Sequence, residues 1–204
     1  MTENTKSAVS MREILHQVLR PHDKVLLCHT PALELLAKQA VAVSADVGAS
    51  VVHWDTQRNW QGLLRRIFSQ WITVLIGDPR IILGIAKVAR ATGTPLPVRK
   101  VVLLGQSCEP WLLKGIRDSL DAKIYTCDFP GMEDPEDPLL RQLDEMLLSW
   151  SSVLDYRARR TEQGLCLKII VFPGHPLPRL PSGANVTVRS WVPKTDAPFC
   201  LCEG

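Results

Sequence analysis

The stretch Arg99–Asp134, RKVVLLGQSCEPWLLKGIRDSLDAKIYTCDFPGMED, decides the fold of this chain. Val101–Leu104 is a continuous apolar run, as expected of a strand that is covered on both faces. Gly105 allows a sharp turn after this strand, and a proline in the first turn marks the helix that follows. Lys123–Cys127 predicts the next strand. The order strand, helix, strand is typical of a parallel α/β sheet.

Parallel sheets bind their ligands beyond the carboxyl ends of the strands. In this stretch those ends are Gly105-Gln106-Ser107 and Cys127-Asp128-Phe129. Ser107 and the helix start offer donors to an anion or a carbonyl, and Gly105 lets a flat ring approach the backbone. The competing interpretation is that Gly105 only serves the turn and that Phe129 fills the crevice. The candidate ligand-binding residues are Gly105, Gln106, Ser107, Tyr125, Cys127, Asp128 and Phe129.

The same alternation of strands and helices extends through the first part of the chain. It predicts a doubly wound, mainly parallel α/β sheet of about five strands with helices on both faces. The strands are expected to start near Lys24, Ser50, Thr73, Lys100 and Lys123. We expect residues 1–10 to be a flexible tail and residues 11–150 to form the α/β domain. After a proline- and acid-rich loop and a helix at 138–148, residues 151–204 predict a small β-rich subdomain with a hairpin or meander.

Composition bounds the class of protein. The chain has 204 residues, is 46% hydrophobic and carries a net charge of +3, which indicates a globular fold. The basic clusters Arg65-Arg66 and Arg157–Arg160 have no interleaved aromatic residues, so no nucleic-acid partner is expected. No apolar run reaches the ~20 residues of a membrane helix, and the start lacks the pattern of a secretory signal. Cysteines within apolar strands suit a reducing compartment, so we expect a cytoplasmic protein without a membrane partner.

Several segments resemble the adenylate-forming acyl- and aryl-CoA ligases, most of all their phenylacetate-CoA ligase-like branch. Val101–Cys108 is similar to the family's VVLGGEPL strand and turn, and Asp121–Tyr125 to its GAKVYD strand. Val74–Lys100 is similar to the strand and helix before them, and Gly174–Trp191 to a hairpin further along. The resemblance implies that the turn at Gly105 lies against adenine. It also implies that the place of the family's YGxTE loop is taken here by GMED, which has no hydroxyl group.

The family's ATP-binding machinery has no counterpart in this sequence. Family members cradle the phosphates in a loop rich in Ser, Thr and Gly that ends in Pro-Lys. Thr92-Gly93-Thr94-Pro95 is the nearest string, and it lies where an ordinary connector is expected. The family's ribose-binding aspartate, hinge and C-terminal lid lysine would lie beyond Gly204. The chain therefore resembles a truncated, degenerate ligase without catalytic residues. No cofactor is expected, because AMP or ATP would have to bind without a phosphate loop.

Other reactive side chains give weaker signals. A hydrolase based on Ser107 is disfavoured because the nucleophile pattern GxSxG fails at Glu109. Cys108 at a helix start is expected to be a partly buried thiol. Cys200 and Cys202 have no second ligand pair at zinc spacing, so no metal is expected. The histidines that follow strands, His29 and His53, are expected to be surface residues or already hydrogen-bonded.

Two functions remain open at this point. The first is a degenerate or minimal ligase-like protein without ligase activity of its own, which binds a nucleotide, an adenylate or an aromatic or acyl acid, or assists a complete ligase. The second is a non-catalytic protein-interaction module on the same fold, with a protein partner in place of a small molecule. Fold does not decide between them, because function lies in the site.

Overall fold

The computed structural model describes residues 11–54, 59–105, 108–128, 138–162, 164–176, 180 and 184–191. The predicted tail at residues 1–10 lies outside this part of the chain. By its internal contacts the chain divides into two units, residues 1–141 and 142–204. The division falls inside the helix α6, Pro138–Leu148.

The first unit is built on a five-stranded parallel sheet in the order β2-β1-β3-β4-β5. The prediction of a doubly wound sheet is confirmed, and four of its strands begin at the predicted residue. The remaining strand, β3, begins one residue later, at Val74, although the Thr73 backbone already bonds to Lys24 and Lys100 at the starts of β1 and β4. The strands are β1 Lys24–Cys28, β2 Ser50–His53, β3 Val74–Gly77, β4 Lys100–Gly105 and β5 Lys123–Asp128.

Helices connect these strands and begin and end at capping residues. Asp78 caps α4 by accepting a hydrogen bond from the Arg80 N–H at 2.8 Å, and Gly93 ends the same helix at φ +63°. α5 begins at Pro110, with Glu109 in the cap position. The helices of the first unit are α1 Met11–Val18, α2 Glu34–Val47 behind a 3-10 turn at Pro31–Leu33, α3 Trp60–Ser69, α4 Pro79–Thr92 and α5 Pro110–Arg117.

The sheet is covered on both faces, as its apolar strands require. On one face Val25 and Leu27 of β1, with their neighbours on β3 and β4, pack in one buried cluster with α1 and α2. The alternate strand residues, such as Leu26 and Leu75, are equally buried and point to the other face, where α3, α4 and α5 lie. α3 and α4 approach closely because Gly84 has no side chain: a Cβ there would lie 2.3 Å from the Trp60 ring.

The carboxylate of Asp23 connects the starts of three strands at the amino-terminal edge of the sheet. It accepts hydrogen bonds from the Arg20 N–H at 2.8 Å, the Thr73 hydroxyl at 3.1 Å and the Lys100 ammonium at 2.7 Å. The Asp23 side chain is only 12% exposed. These bonds join the starts of β1, β3 and β4, which are far apart in sequence.

The second unit carries a three-stranded sheet in the order β6-β7-β8. β6 (Val153–Thr161) and β7 (Gly164–Val171) form the predicted antiparallel hairpin. β8 (Asn185–Ser190) pairs with β7 in the parallel sense, so the sheet is mixed and not a simple meander. The chain crosses from the end of β7 to its beginning before β8, as parallel pairing requires.

Helix α6 covers one face of the small sheet within the second unit. The Tyr156 hydroxyl of β6 donates a 2.7 Å hydrogen bond to the buried carboxylate of Asp144 on α6. Leu167 and Ile169 of β7 are buried on the same side as Tyr156. Over the residues that the structure describes, no helix combines the length and the apolar character needed to cross a bilayer.

Candidate functional site

The carboxyl ends of β4 and β5 lie side by side, as the sequence predicted. Gly105 pairs with Asp128 in the ladder, and Leu104 pairs with Cys127. Gln106, Ser107 and Phe129 lie outside the described residues, as do the side-chain atoms of Asp128. The backbone therefore brings the two predicted strand ends together, and the predicted role of the turn and loop side chains stays a prediction.

Tyr125 and Cys127 contribute to the core of the first unit. Cys127 is buried in the cluster beneath α1 and α2, and Tyr125 packs against the same cluster from a half-buried position. Alternation along β5 puts both side chains on that one face of the sheet. Tyr125 lies three residues before the end of β5, and a ligand at the strand ends would reach Cys127 only through the packed core.

Gly105 ends β4 at φ +139°, a conformation that favours glycine. A Cβ built on Gly105 would meet no described heavy atom within 4 Å. Among the described residues, the backbone at the end of β4 therefore has no neighbour that would block a ligand. A flat group can approach it closely, whereas any side chain introduced at this position is strained.

The ends of β1 and β3 differ from this arrangement because their backbones touch. Gly77 ends β3 at φ +152°, and a Cβ there would lie 1.6 Å from the Cys28 carbonyl oxygen. The Asp78 N–H donates to that oxygen at 2.8 Å. Burial, and then the charge of Asp78, raise the pKa of the Cys28 thiol far above its usual range. Cys28 is therefore an inert core thiol and not a nucleophile.

The strand order makes the junction of β1 and β3 a topological switch point. The connection leaving β1 runs through α2 on one face, and the connection leaving β3 runs through α4 on the other. Such junctions open a crevice at the carboxyl edge, which is where open α/β sheets bind their ligands. The sequence alone placed the site only at β4 and β5, because strand order is not visible in a single sequence.

His29 is the residue at this switch point that sequence reasoning undervalued. It directly follows β1, and its Nδ1 is buried with no hydrogen-bond partner among the described residues. Buried polar atoms are rarely left unpaired, since each costs about 1–3 kcal/mol. The signal in the sequence was a histidine immediately after a fully apolar strand. His53, the last residue of β2, is exposed, as expected.

Among the described residues, the other reactive side chains do not form a metal-binding centre or a disulfide bond. Cys28, Cys108, Cys127 and Cys166 are outside any disulfide bond. Within the described ranges, no three His, Cys, Asp or Glu side chains lie close enough together to hold a metal ion. Cys200 and Cys202 lie outside those ranges.

Comparison with solved structures relates this geometry to known proteins. 2-Hydroxyisobutyryl-CoA ligase in the postadenylation state, in complex with R3-HIB-AMP, matches 84% of this chain and 63% of its own, with 11% identity and a TM-score of 0.54. An open conformation of that ligase, in complex with 2-HIB-AMP and CoA, matches 55% of this chain and 28% of its own, with 18% identity and a TM-score of 0.48. The N-terminal domain of FACL13 from Mycobacterium tuberculosis matches 53% and 27%, with 19% identity and a TM-score of 0.45.

The chain spans less than two thirds of the length of each of these structures. No protein-family model and no curated protein sequence matches it. At such low identities the similarity concerns the fold alone, and the match with a TM-score of 0.54 carries that conclusion. The chain has an α/β fold similar to that of 2-hydroxyisobutyryl-CoA ligase.

Proposed function

We propose that this chain is a phenylacetate-CoA ligase-like binding domain that holds an aryl or acyl adenylate, or the matching acid or nucleotide, at the carboxyl edge of its sheet. The observation that supports this most is that no described residue lies within 4 Å of a Cβ at Gly105, at the edge where parallel sheets receive ligands. A structure with the same fold is a complex with R3-HIB-AMP. That this chain also binds an adenylate is part of the proposal.

His29 gives the proposed ligand a polar contact. It lies two strands away from Gly105 in the order β1-β3-β4, which is about 10 Å at the usual strand spacing. A ligand that places a ring beside Gly105 and a polar group at His29 satisfies the unpaired Nδ1. Binding then removes the cost of a buried unpaired atom, which favours the bound state.

The proposal assigns binding, and not adenylation, to the chain. Phosphoryl and adenylyl transfer depend on groups that cradle the phosphates and neutralise their charge. The 204 residues contain no Ser/Thr/Gly-rich loop that ends in Pro-Lys. We therefore propose that the domain presents its ligand to, or receives it from, a complete ligase.

Thermal denaturation with single ligands tests the proposal. AMP, ATP, CoA, phenylacetate and benzoate are added one at a time to the purified chain. A ligand at a hundred times its Kd adds about 2.7 kcal/mol of stability, which raises Tm by about 5–10 °C in a chain of this size. We expect AMP or an aromatic acid to produce such a shift.

Two glycine variants locate the site. Gly105→Leu places a side chain in the open space and should abolish the shift. Gly93→Leu is the matched control, because Gly93 also has a positive φ and no described atom within 4 Å of a Cβ, but it ends α4, ahead of the start of β4, whereas Gly105 lies at the carboxyl end of β4. Both variants should lose about 1–3 kcal/mol through backbone strain, and only the first should lose ligand binding.

The same experiment separates the two functions left open by the sequence. Absence of any shift with all five ligands at saturating concentrations would overturn the binding proposal and leave the protein-interaction module. Equal loss of the shift in both glycine variants would remove Gly105 from the site.

A further inference from the structure

The sheet of the second unit has one strongly basic face, formed by Arg157, Arg159, Lys168 and Arg189. The strand registers place these residues together, since Arg157 lies opposite Lys168, and Arg189 lies opposite Ile170 in the next row of β7. All four side chains are exposed. In the sequence these residues lie up to thirty-two positions apart, so the basic face becomes evident only from the pairing of the strands.

The positive charges on the basic face outnumber the negative ones among the described residues. None of its four residues forms an ion pair within the described part of the chain. Arg157 and Lys168 are direct cross-strand neighbours, about 4.5–5.5 Å apart at Cβ, and like charges in such pairs destabilise a sheet. Asp155 is the one acidic residue that the described strands place on this face. An anionic partner would relieve this repulsion.

Within the second unit, no described helix covers the basic face of the sheet. The opposite face buries Leu167 and Ile169 and bonds to α6 through Tyr156. Among the described strands, β6 pairs only with β7. The Tyr156 N–H donates to the Asp155 carboxylate at 2.8 Å, so the part of β6 considered for a further strand is the stretch of Arg157 and Arg159, where no second described strand pairs.

The chemistry of the basic face favours an acidic peptide over a nucleic acid. Strands β6, β7 and β8 place no aromatic side chain on this face, and Trp191, two residues after Arg189, is half-buried in edge-to-face contact with the buried Phe172. The face therefore presents no fully exposed ring within the described residues, whereas single strands bind largely by stacking their bases on such rings. Arg157 and Arg159 lie two residues apart on one strand, about 6.6 Å. Alternate side chains of an extended peptide have the same spacing, and guanidinium groups bind carboxylates through paired hydrogen bonds.

We propose that the β6 edge binds an extended acidic peptide segment of a partner protein, with carboxylates at alternate positions facing Arg157 and Arg159. The backbone of the peptide adds to the sheet as a strand, which is a common mode of peptide recognition. Lys168 on β7 and Arg189 on β8 add to the positive potential of the same face. Binding weakens as salt rises, because the charges are exposed.

Fluorescence anisotropy with defined probes tests this proposal on the full chain. The main probe is a labelled peptide of alternating threonine and glutamate. The comparison peptide has the same composition with its glutamates in one block, and a labelled oligothymidylate represents nucleic acid. We expect the alternating peptide to bind about tenfold more tightly than the blocked one, which corresponds to about 1.4 kcal/mol.

Matched double variants then locate the binding. Arg157→Thr/Arg159→Thr keeps good strand formers and should weaken peptide binding at least tenfold. Arg65→Ala/Arg90→Ala removes two exposed cations from α3 and α4, with the same change in net charge, and should change the affinity less than about twofold. Circular dichroism checks that both variants are folded, and Lys168→Thr provides a second variant of the basic face.

Three results would overturn the proposal. One is equal loss of affinity in both double variants, which would indicate a general charge effect. Another is tighter binding of oligothymidylate than of the alternating peptide, which would assign the face to nucleic acid. The third is the absence of saturable peptide binding at low salt.

Discussion

Replacing the carboxylate of Asp23 tests directly how much the contacts between the strand starts stabilise the sheet. It joins three strand starts through its bonds with the Arg20 N–H, the Thr73 hydroxyl and the Lys100 ammonium. Asp23→Asn keeps the size of the side chain and removes its charge. One amide oxygen replaces two carboxylate oxygens, so Lys100 loses its counter-charge and at least one of the other bonds weakens.

The expected cost is about 2 kcal/mol. Hydrogen bonds to charged groups contribute about 1.5–3 kcal/mol, and the amide retains part of that interaction. The Lys100 side chain is 21% exposed, so solvent reduces the Coulombic part but does not remove it. In a chain of this length, that loss lowers Tm by about 4–8 °C.

The effect should depend on pH in a defined direction. Burial raises the pKa of Asp23, but the hydrogen bond from Lys100, the Arg20 N–H, the charge of Lys100 and the Thr73 hydroxyl together lower it below its ordinary value. Because the folded-state pKa is the lower one, the carboxylate stabilises the fold above the unfolded-state pKa of about 3.9. That contribution is lost as pH falls through the folded-state pKa.

Urea unfolding followed by circular dichroism at pH 7, 5 and 3 measures the effect. Asp118→Asn is the matched control, because Asp118 pairs with Lys114 at 2.6 Å but both side chains are largely exposed. We expect the control to change the free energy of unfolding by less than about 0.5 kcal/mol. The reasoning fails if the two variants cost the same, or if the deficit of Asp23→Asn grows as the solution becomes more acidic.

The remaining predictions concern packing, the small sheet and catalysis. Gly84→Ala should destabilise the chain by about 1–3 kcal/mol in thermal melts because its methyl group collides with the Trp60 ring, whereas Gly115→Ala should cost less because only the end of a leucine side chain has to move. Tyr156→Phe should cost about 1–2 kcal/mol by removing the hydrogen bond to the buried Asp144, and a smaller loss than 0.5 kcal/mol would show that the bond contributes little. The chain alone should show no acid-dependent ATP–pyrophosphate exchange, and exchange above background in protein free of other ligases would contradict this.

Local sequence signals were sufficient for most of the fold. Apolar runs such as Val101–Leu104 and the Asp78-Pro79 helix start depend on neighbouring residues alone, so their positions could be predicted one segment at a time. The carboxyl ends of β4 and β5 were predicted to meet for the same reason, because consecutive parallel strands joined by a short helix usually pair. The site side chains at Gln106, Ser107 and Phe129 remain predictions.

The sequence by itself determined which segments became strands and helices, since periodicity, proline and glycine act over a few residues. Tertiary structure decided everything that depends on which strands are neighbours. The switch point beside His29 follows from the order β2-β1-β3, and the basic face follows from the pairing of β6 and β8 with β7. Asp23 reaches Lys100 only because β1 and β4 begin at one edge of the sheet. Such contacts join residues far apart in the chain, and the free energy that selects them comes from burying both faces of the sheet at once.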